Sequence, residues 1–371
     1  IELAPESKVC EPGALVSKKL PHLTTIVRMG EARTSGMYNF ADVCGMGELY
    51  KEDQLCSIAA DLDSDDIINI QFTSGTTGSP KGAALTHKNI LNNAYFNGKK
   101  MRLSSNDRLC IPVPLYHCFG MVMGTLCCVA HGATMVLPAD SFDPVSTLKA
   151  VSDYGCTALH GVPTMFIAQL DSLDLSNYDQ SSLRTGMIAG ATCPEELMKR
   201  MIAEMGLDEI VIAYGQTECS PVNHATEIDD SFEQRTTTVG RPHTNWESKI
   251  IHPETGEICA FGETGEVCSR GYGVMACYWG DHIRTAETID EEGYLHSGDL
   301  GEMDSDGFVK ITGRIKDMII RGGENIYPKE IEEYLYTHPE IAEAQVFGVP
   351  DPKYGEQVAA WVQLKTDSSL S

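Results

Sequence analysis

Between residue 67 and about residue 220, short apolar runs alternate with longer stretches of helical pattern. The strand candidates after the first are Leu109–Val113, Ala133–Leu137, Cys156–His160, Thr185–Ala189 and Glu209–Ala213. Helix candidates lie between them, among them Asp143–Tyr154 and Pro194–Met205, the second with its proline near the start, where helices tolerate one. Such alternation predicts a layered α/β domain with parallel strands, and it places ligands near the strand ends. After about Val239 the texture changes. Glu254–Cys259 and Glu263–Cys268 nearly repeat, each reading as a turn that feeds a strand of a β-rich subdomain. A second change comes at Gly313-Arg314-Ile315-Lys316-Asp317. Beyond it a helix is predicted over Pro328–Tyr336, with strands over Ala344–Val349 and Val358–Leu364. The expected organisation is a large domain over 1–312, a hinge over 313–317, and the start of a small α+β domain over 318–371.

At 371 residues the chain can bury a substantial core in more than one domain. Its formal charge of −25 argues against a nucleic-acid partner, which demands a basic face. It leaves room for phosphorylated small molecules, which need only a local positive pocket. The 13 cysteines show neither a C-x-x-C pair nor zinc-like pairing with histidine, and they read as free thiols in a reducing compartment. The longest apolar stretch, Gly120 to Ala130, is too short to span a bilayer and reads as a core helix.

The densest chemistry lies at Thr73-Ser74-Gly75-Thr76-Thr77-Gly78-Ser79-Pro80-Lys81-Gly82. It follows Ile67–Phe72, which reads as a buried strand of β-branched and aromatic residues. Backbone N–H groups and hydroxyls of such a loop can wrap an oligophosphate, Lys81 adds a point charge, and the glycines permit close approach. It is not a Walker A loop, which ends in Gly-Lys-Ser/Thr, because Pro80 precedes Lys81 and Gly82 follows it. By composition alone, a Ser/Thr/Gly loop is more often a plain connector.

The order of these residues resembles the signature phosphate loop of the adenylate-forming superfamily: acyl-CoA synthetases, coumarate-CoA ligases, beetle luciferases and peptide-synthetase adenylation domains. Further segments follow in that family's order over residues 60–365: Pro114–Gly120 with His117, Gly190-Ala191-Thr192, Tyr214-Gly215-Gln216-Thr217-Glu218, Tyr294–Gly301 with Asp299, and Gly313–Asp317. Singly, each has an ordinary structural reading, such as a packed histidine or an Asx turn. Together they imply specific roles. The resemblance makes Gly190, Ala191 and Thr192 the lining of an adenine pocket, with Tyr214 stacking on the base and Gly215 beside it in the nucleotide-binding segment. It makes Thr217 a phosphate contact, Glu218 the holder of Mg²⁺, Asp299 the acceptor of both ribose hydroxyls, and Arg314 a second ribose or phosphate contact. His117 falls at the junction of the acyl pocket and the α-phosphate. Lys316 falls at the hinge about which the small domain turns, and Arg321, Gly322 and Gly323 fall at a thiol channel.

The implied reaction joins a fatty acid to ATP as an acyl-adenylate, with pyrophosphate released, and then transfers the acyl group to CoA. The wording of Asn69–Gly82, Pro114–His117, Pro163–Phe166 and Lys316–Pro328 is most similar to mitochondrial medium-chain acyl-CoA synthetases, which implies a medium-chain acid and the mitochondrial matrix. The family also carries a late lysine in a Pro-x-x-x-x-Gly-Lys setting and a large segment ahead of the phosphate loop. Neither is present here, so both ends are expected to be incomplete. A non-catalytic ATP- or CoA-binding form is therefore one alternative. A luciferase-like oxygenase is another, disfavoured by Ile320 where the luciferases carry a lysine.

Overall fold

The computed structural model of the chain describes residues 2–47, 52–73, 80–172, 175–191, 193–322, 324–336, 338 and 340–365. It divides into two units, 1–63 and 64–371. The first is built from short elements. A two-residue parallel pairing joins Val27–Arg28 to Tyr38–Asn39, and helices follow at Phe40–Met46 and Glu52–Ala60. Asn39 and Asp42 form a reciprocal capping box at the start of Phe40–Met46, satisfying N–H groups that a helix start leaves open.

The second unit is centred on a seven-stranded sheet. Its spatial order is Arg241–Pro242, Val222–Ala225, Glu209–Gly215, Thr185–Ile188, Ala158–Gly161, Arg108–Cys110 and Thr134–Val136. The last five strands are mutually parallel, as the alternation of strand and helix predicts. Successive residues on each strand face opposite layers. Leu109, Ala158, Met187 and Val211 join one core with Ile90 and Ala94 of the His87–Lys100 helix and with Val122 and Met123. Cys110, Leu159, Ile188 and Ile210 join the other, against Leu148, Phe166, Met198 and Met201 of three helices. Those three helices are Pro144–Tyr154, Pro163–Leu170 and Glu195–Met205. A sheet buried on both faces explains why its strands read as near-continuous apolar runs.

Local signals set the helix ends. Asp143 caps the first of these helices by accepting the Ser146 N–H at 2.6 Å, and Gly155 and Gly206 take left-handed φ values of +56° and +70° just past two C-termini. The expected core helix near Gly120 is present as two segments. Phe119–Leu126 is wound with the wider i→i+5 spacing, and Cys127–His131 continues it.

Three further sheets complete this unit. An antiparallel sheet is ordered Cys277–Tyr278, Lys81–Thr86, Ile67–Thr73. The strand over Ile67–Thr73 is therefore not the buried strand its composition suggests. It is the edge of this hairpin-built sheet, and Ile67, Ile68, Ile70 and Phe72 are exposed. A four-stranded antiparallel sheet joins Trp246–Ile251, Gly265–Gly271, Leu295–Met303 and Val309–Arg314. Of the two near-repeats, Glu263–Cys268 feeds a strand, whereas Glu254–Cys259 makes only a single bridge between Ile258 and Ile251. The C-terminal sheet is ordered Glu324–Ile326, Ile319–Arg321, Gly355–Leu364, Ile341–Asp351, with the helix Pro328–Tyr336 bonded to it through Glu332 and Val346 N–H at 2.7 Å. The whole is a mixed α/β architecture with a parallel-rich sheet and a C-terminal sheet, as expected. Among the described residues no helix is long and apolar enough to cross a membrane, and all 13 cysteines are free.

Candidate active site

Asp299 is the best-defined centre of the site. It sits on Leu295–Met303, 5% exposed, directly opposite Arg314 in the pairing with Val309–Arg314. Arg314 Nε lies 3.0 Å from its Oδ1. Its Oδ2 accepts the Tyr214 hydroxyl at 2.7 Å and Gln216 Nε2 at 3.0 Å. Tyr214 and Gln216 arrive from the carboxyl end of Glu209–Gly215, the place where an open α/β sheet receives ligands. Burial, then the adjacent Asp299 carboxylate, pushes the Tyr214 phenol pKa upward, so it remains a donor. Gly215 is required by packing, since a Cβ there would lie 1.9 Å from the Pro221 carbonyl oxygen.

The turn ahead of Asp299 is braced from the neighbouring strand. Glu266 Oε1 accepts the Gly298 N–H at 2.9 Å, and Oε2 lies 2.9 Å from His296 Nδ1. Gly298 has φ +71°, a backbone state that favours glycine.

A second cluster surrounds Glu218, which is 9% exposed in the turn after Tyr214. Its Oε1 accepts the Tyr278 hydroxyl at 2.6 Å. Lys81 Nζ lies 5.0 Å from the centroid of the Tyr278 ring. Burial first, and then the Glu218 carboxylate, raises the Cys118 thiol to about 12. His117 is exposed, and its Nδ1 accepts the Phe119 N–H at 3.1 Å. That bond assigns the ring proton of neutral His117 to Nε2. Desolvation lowers the His117 pKa, which favours this neutral form.

A divalent cation fits here. Glu218 Oε1 accepts the Tyr278 hydrogen bond, while Oε2 has no hydrogen-bond partner among the described residues. Mg²⁺ prefers a carboxylate or two completed by substrate phosphates.

Thr73 and Lys81 face each other across the antiparallel pairing, as do Phe72 and Gly82. Pro80 is exposed beside them. The expected loop residues Ser74, Gly75, Thr76, Thr77, Gly78 and Ser79 lie outside the described residues, as do Thr192 and Gly323. Gly190, with φ +86°, and Ala191 follow Thr185–Ile188 at the same carboxyl end of the parallel strands as Tyr214. Thr217 begins the turn holding Glu218, with no side-chain hydrogen bond among the described residues.

The structure does not bring Lys316, Arg321 or Gly322 into either cluster. Lys316 is exposed on Ile315–Asp317. Arg321 instead bonds Gln357 and packs 4.3 Å from the Tyr354 ring centroid, and the Gly322 N–H bonds the Tyr354 carbonyl at 2.8 Å.

Three residues of these clusters escaped sequence reasoning. Gln216 occupied the variable position of its motif, Glu266 lay in a near-repeat read only as a turn and strand, and Tyr278 had no motif at all.

Comparison with known proteins places these features in context. The model of the AMP-binding enzyme family matches residues 8–279, and that of the AMP-binding enzyme C-terminal domain matches residues 330–371. YngI of Bacillus subtilis (strain 168), whose name carries acyl-CoA synthetase as a provisional activity, is 51% identical over 371 residues, covering 100% of this chain and 67% of YngI. The mitochondrial medium-chain acyl-CoA ligase ACSF2 of Danio rerio is 45% identical over 368 residues, covering 98% of this chain and 60% of that protein. Among solved structures, ATP-bound MatB from Rhodopseudomonas palustris superposes with a TM-score of 0.77 at 30% identity, over 84% of this chain and 60% of MatB. The chain thus spans about three-fifths to two-thirds of the length of these proteins.

Proposed function

This chain belongs to the AMP-binding enzyme family, and from that premise we propose that it activates a carboxylic acid with ATP and transfers the acyl group to CoA. The observation that carries the reading is the meeting of separate motif segments on one buried carboxylate. Tyr214 and Gln216 reach Asp299 from the parallel sheet, and Arg314 reaches it from the neighbouring antiparallel strand. A preformed acceptor beside a tyrosine and an arginine suits a ribose flanked by a base and a phosphate.

In this reading the acid's carboxylate oxygen attacks the α-phosphorus of ATP and pyrophosphate leaves. The CoA thiol then attacks the carbonyl of the adenylate, losing its proton, and AMP leaves. Both steps consist mainly of positioning and charge stabilisation. Asp299 and Arg314 fix the ribose, and Tyr214, with Gly215, Gly190, Ala191 and Thr192, forms the adenine pocket. The Thr73–Gly82 segment with Lys81 holds the outer phosphates, Thr217 contacts a phosphate, and His117 Nε2–H donates at the acid and α-phosphate. Glu218 would hold Mg²⁺, which when bound supplies charge neutralisation at the phosphate oxygens. Lys316 serves as the hinge between large and small domains, and Arg321, Gly322 and Gly323 face the thiol in the second step. The names of the ACSF2 relatives favour a medium-chain fatty acid and a mitochondrial setting. Neither an oxygenase nor a non-catalytic binding role draws support from the relatives.

The test is incubation of the protein with ATP, Mg²⁺ and saturated fatty acids from short to long, followed by mass spectrometry of the products. Acyl-AMP peaking at medium chain length, with thioester appearing when CoA is added, is expected. Release of ADP in place of AMP and pyrophosphate, or ATP binding with no adenylate for any acid, would overturn the proposal.

A further inference from the structure

Tyr278 is 3% exposed, stands between two charged groups of the site, and has no part in the chemistry assigned above. Its hydroxyl donates to Glu218 Oε1 at 2.6 Å, and its ring carries Lys81 Nζ 5.0 Å from the centroid. The backbone fixes it there. Tyr278 pairs with Ala83 on the strand that begins at Lys81. On either side, Trp279 N–H bonds the Gly82 carbonyl at 2.7 Å and Ala276 N–H bonds the Ala84 carbonyl at 2.9 Å. One residue earlier, Met275 N–H bonds the Glu218 carbonyl at 2.8 Å. A single short strand therefore ties the lysine's strand to the glutamate's turn.

An ammonium and a buried carboxylate that share one tyrosine have a competing state, a direct ion pair that would occupy both before any substrate arrives, because screening is weak away from water. No such pair joins Lys81 to Glu218 among the described residues. Each is given a weaker substitute instead: a phenol proton for one carboxylate oxygen, and an aromatic face for the ammonium.

We propose that Tyr278 is a positioning residue that keeps Lys81 and Glu218 apart before substrate binds, leaving Glu218 Oε2 for the divalent cation and the Lys81 ammonium for phosphate. The inference rests on the acyl-activating reading of the same site. Tyr278→Phe keeps the ring and its packing but removes the hydroxyl, and Tyr278→Leu removes both.

ATP binding to the full chain, measured by calorimetry across a Mg²⁺ series and in EDTA, separates the two contacts. Loss of an outer-shell partner typically weakens metal binding about 10–100-fold, so Tyr278→Phe should raise the half-saturating Mg²⁺ concentration by about that factor. Its ATP affinity in EDTA should stay at the wild-type value, whereas Tyr278→Leu should weaken binding there too. In the Glu218→Gln background, adding Tyr278→Phe should change nothing further. A Mg²⁺ dependence unmoved by Tyr278→Phe, or effects of the two substitutions that multiply, would overturn the proposal while the site reading stands. A wild-type protein that binds no ATP would overturn both.

Discussion

Replacing Asp299 by Asn tests the ribose assignment at single-atom level. The carboxylate is surrounded by donors only: Tyr214 Oη and Gln216 Nε2 at Oδ2, and Arg314 Nε at Oδ1. An amide must point its NH₂ at one of these sides. Turned toward Gln216, it opposes an amide that cannot flip without losing its 2.7 Å bond to the Ser297 carbonyl. The substituted side chain therefore turns its NH₂ toward Arg314, which is half-exposed and can swing into water. What remains is a neutral acceptor in place of a charged one. Hydrogen bonds to charged groups contribute about 1.5–3 kcal/mol against about 0.5–1.5 for neutral pairs. With two hydroxyls accepted, the loss is about 2–3 kcal/mol, or roughly 30–150-fold in ATP affinity. The assay is calorimetric binding of ATP and of dideoxy-ATP, which lacks both ribose hydroxyls. The preference for ATP over dideoxy-ATP should be smaller in Asp299→Asn than in wild type by about that factor. Equal discrimination by wild type and variant would refute the assignment, whatever the absolute affinities.

Gly215→Ala forces a Cβ to within 1.9 Å of the Pro221 carbonyl oxygen. It should cost about 1–3 kcal/mol in urea unfolding and weaken ATP binding by displacing Tyr214; an unchanged urea midpoint would contradict this. Phe166→Ala empties a fully buried position between helix and sheet, and should cost about 3–5 kcal/mol in the same measurement; a much smaller loss would mean the cavity collapses. Burial, the leading cause in each, holds His160 at about 4 and His224 and His243 at about 3, below the unperturbed value of about 6.5. The unfolded chain takes up these protons first, so their contribution is intact above about pH 6.5 and is lost as pH falls toward 4 and then 3. The slope is up to about 1.4 kcal/mol per pH unit per histidine, and urea midpoints that do not fall on going from neutral pH into this window would contradict it.

The parallel sheet could be read from sequence because each strand is buried twice. Ala158 and Leu159, Met187 and Ile188, and Val211 and Ile212 send neighbours into opposite cores, so both faces demand apolar residues and a run of them marks a strand. The same logic misplaced Ile67–Thr73. β-Branched residues suit any pleated strand, and nothing local reports whether a neighbouring layer covers it. Only the antiparallel pairing with Lys81–Thr86 reveals an edge. The helix Pro328–Tyr336 was readable for a different reason, since its proline start and amphipathic spacing are local properties.

Site residues divide along a similar line. Groups assigned to touch nucleotide or metal, such as Tyr214, Glu218 and Asp299, must have one chemistry at one spacing, and that leaves a motif. Groups that hold them in place need only arrive from some neighbouring strand. Tyr278 meets Glu218 across 60 residues of sequence, and Gln216 meets Asp299 across 83. Read locally, Tyr278 is an aromatic in a Met-Ala-Cys-Tyr-Trp run with every appearance of core packing. Its burial is indeed that of a core residue; the difference lies in one hydroxyl aimed at a carboxylate and one ring face offered to a lysine. Positioning residues are therefore found by starting from motif residues and asking what occupies their remaining hydrogen-bond capacity. Applied to Asp299, the same question leads through the Gly298 turn to Glu266. Glu266 should accordingly behave as Tyr278 does, changing the affinity of its motif partner's ligand while making no contact with that ligand itself.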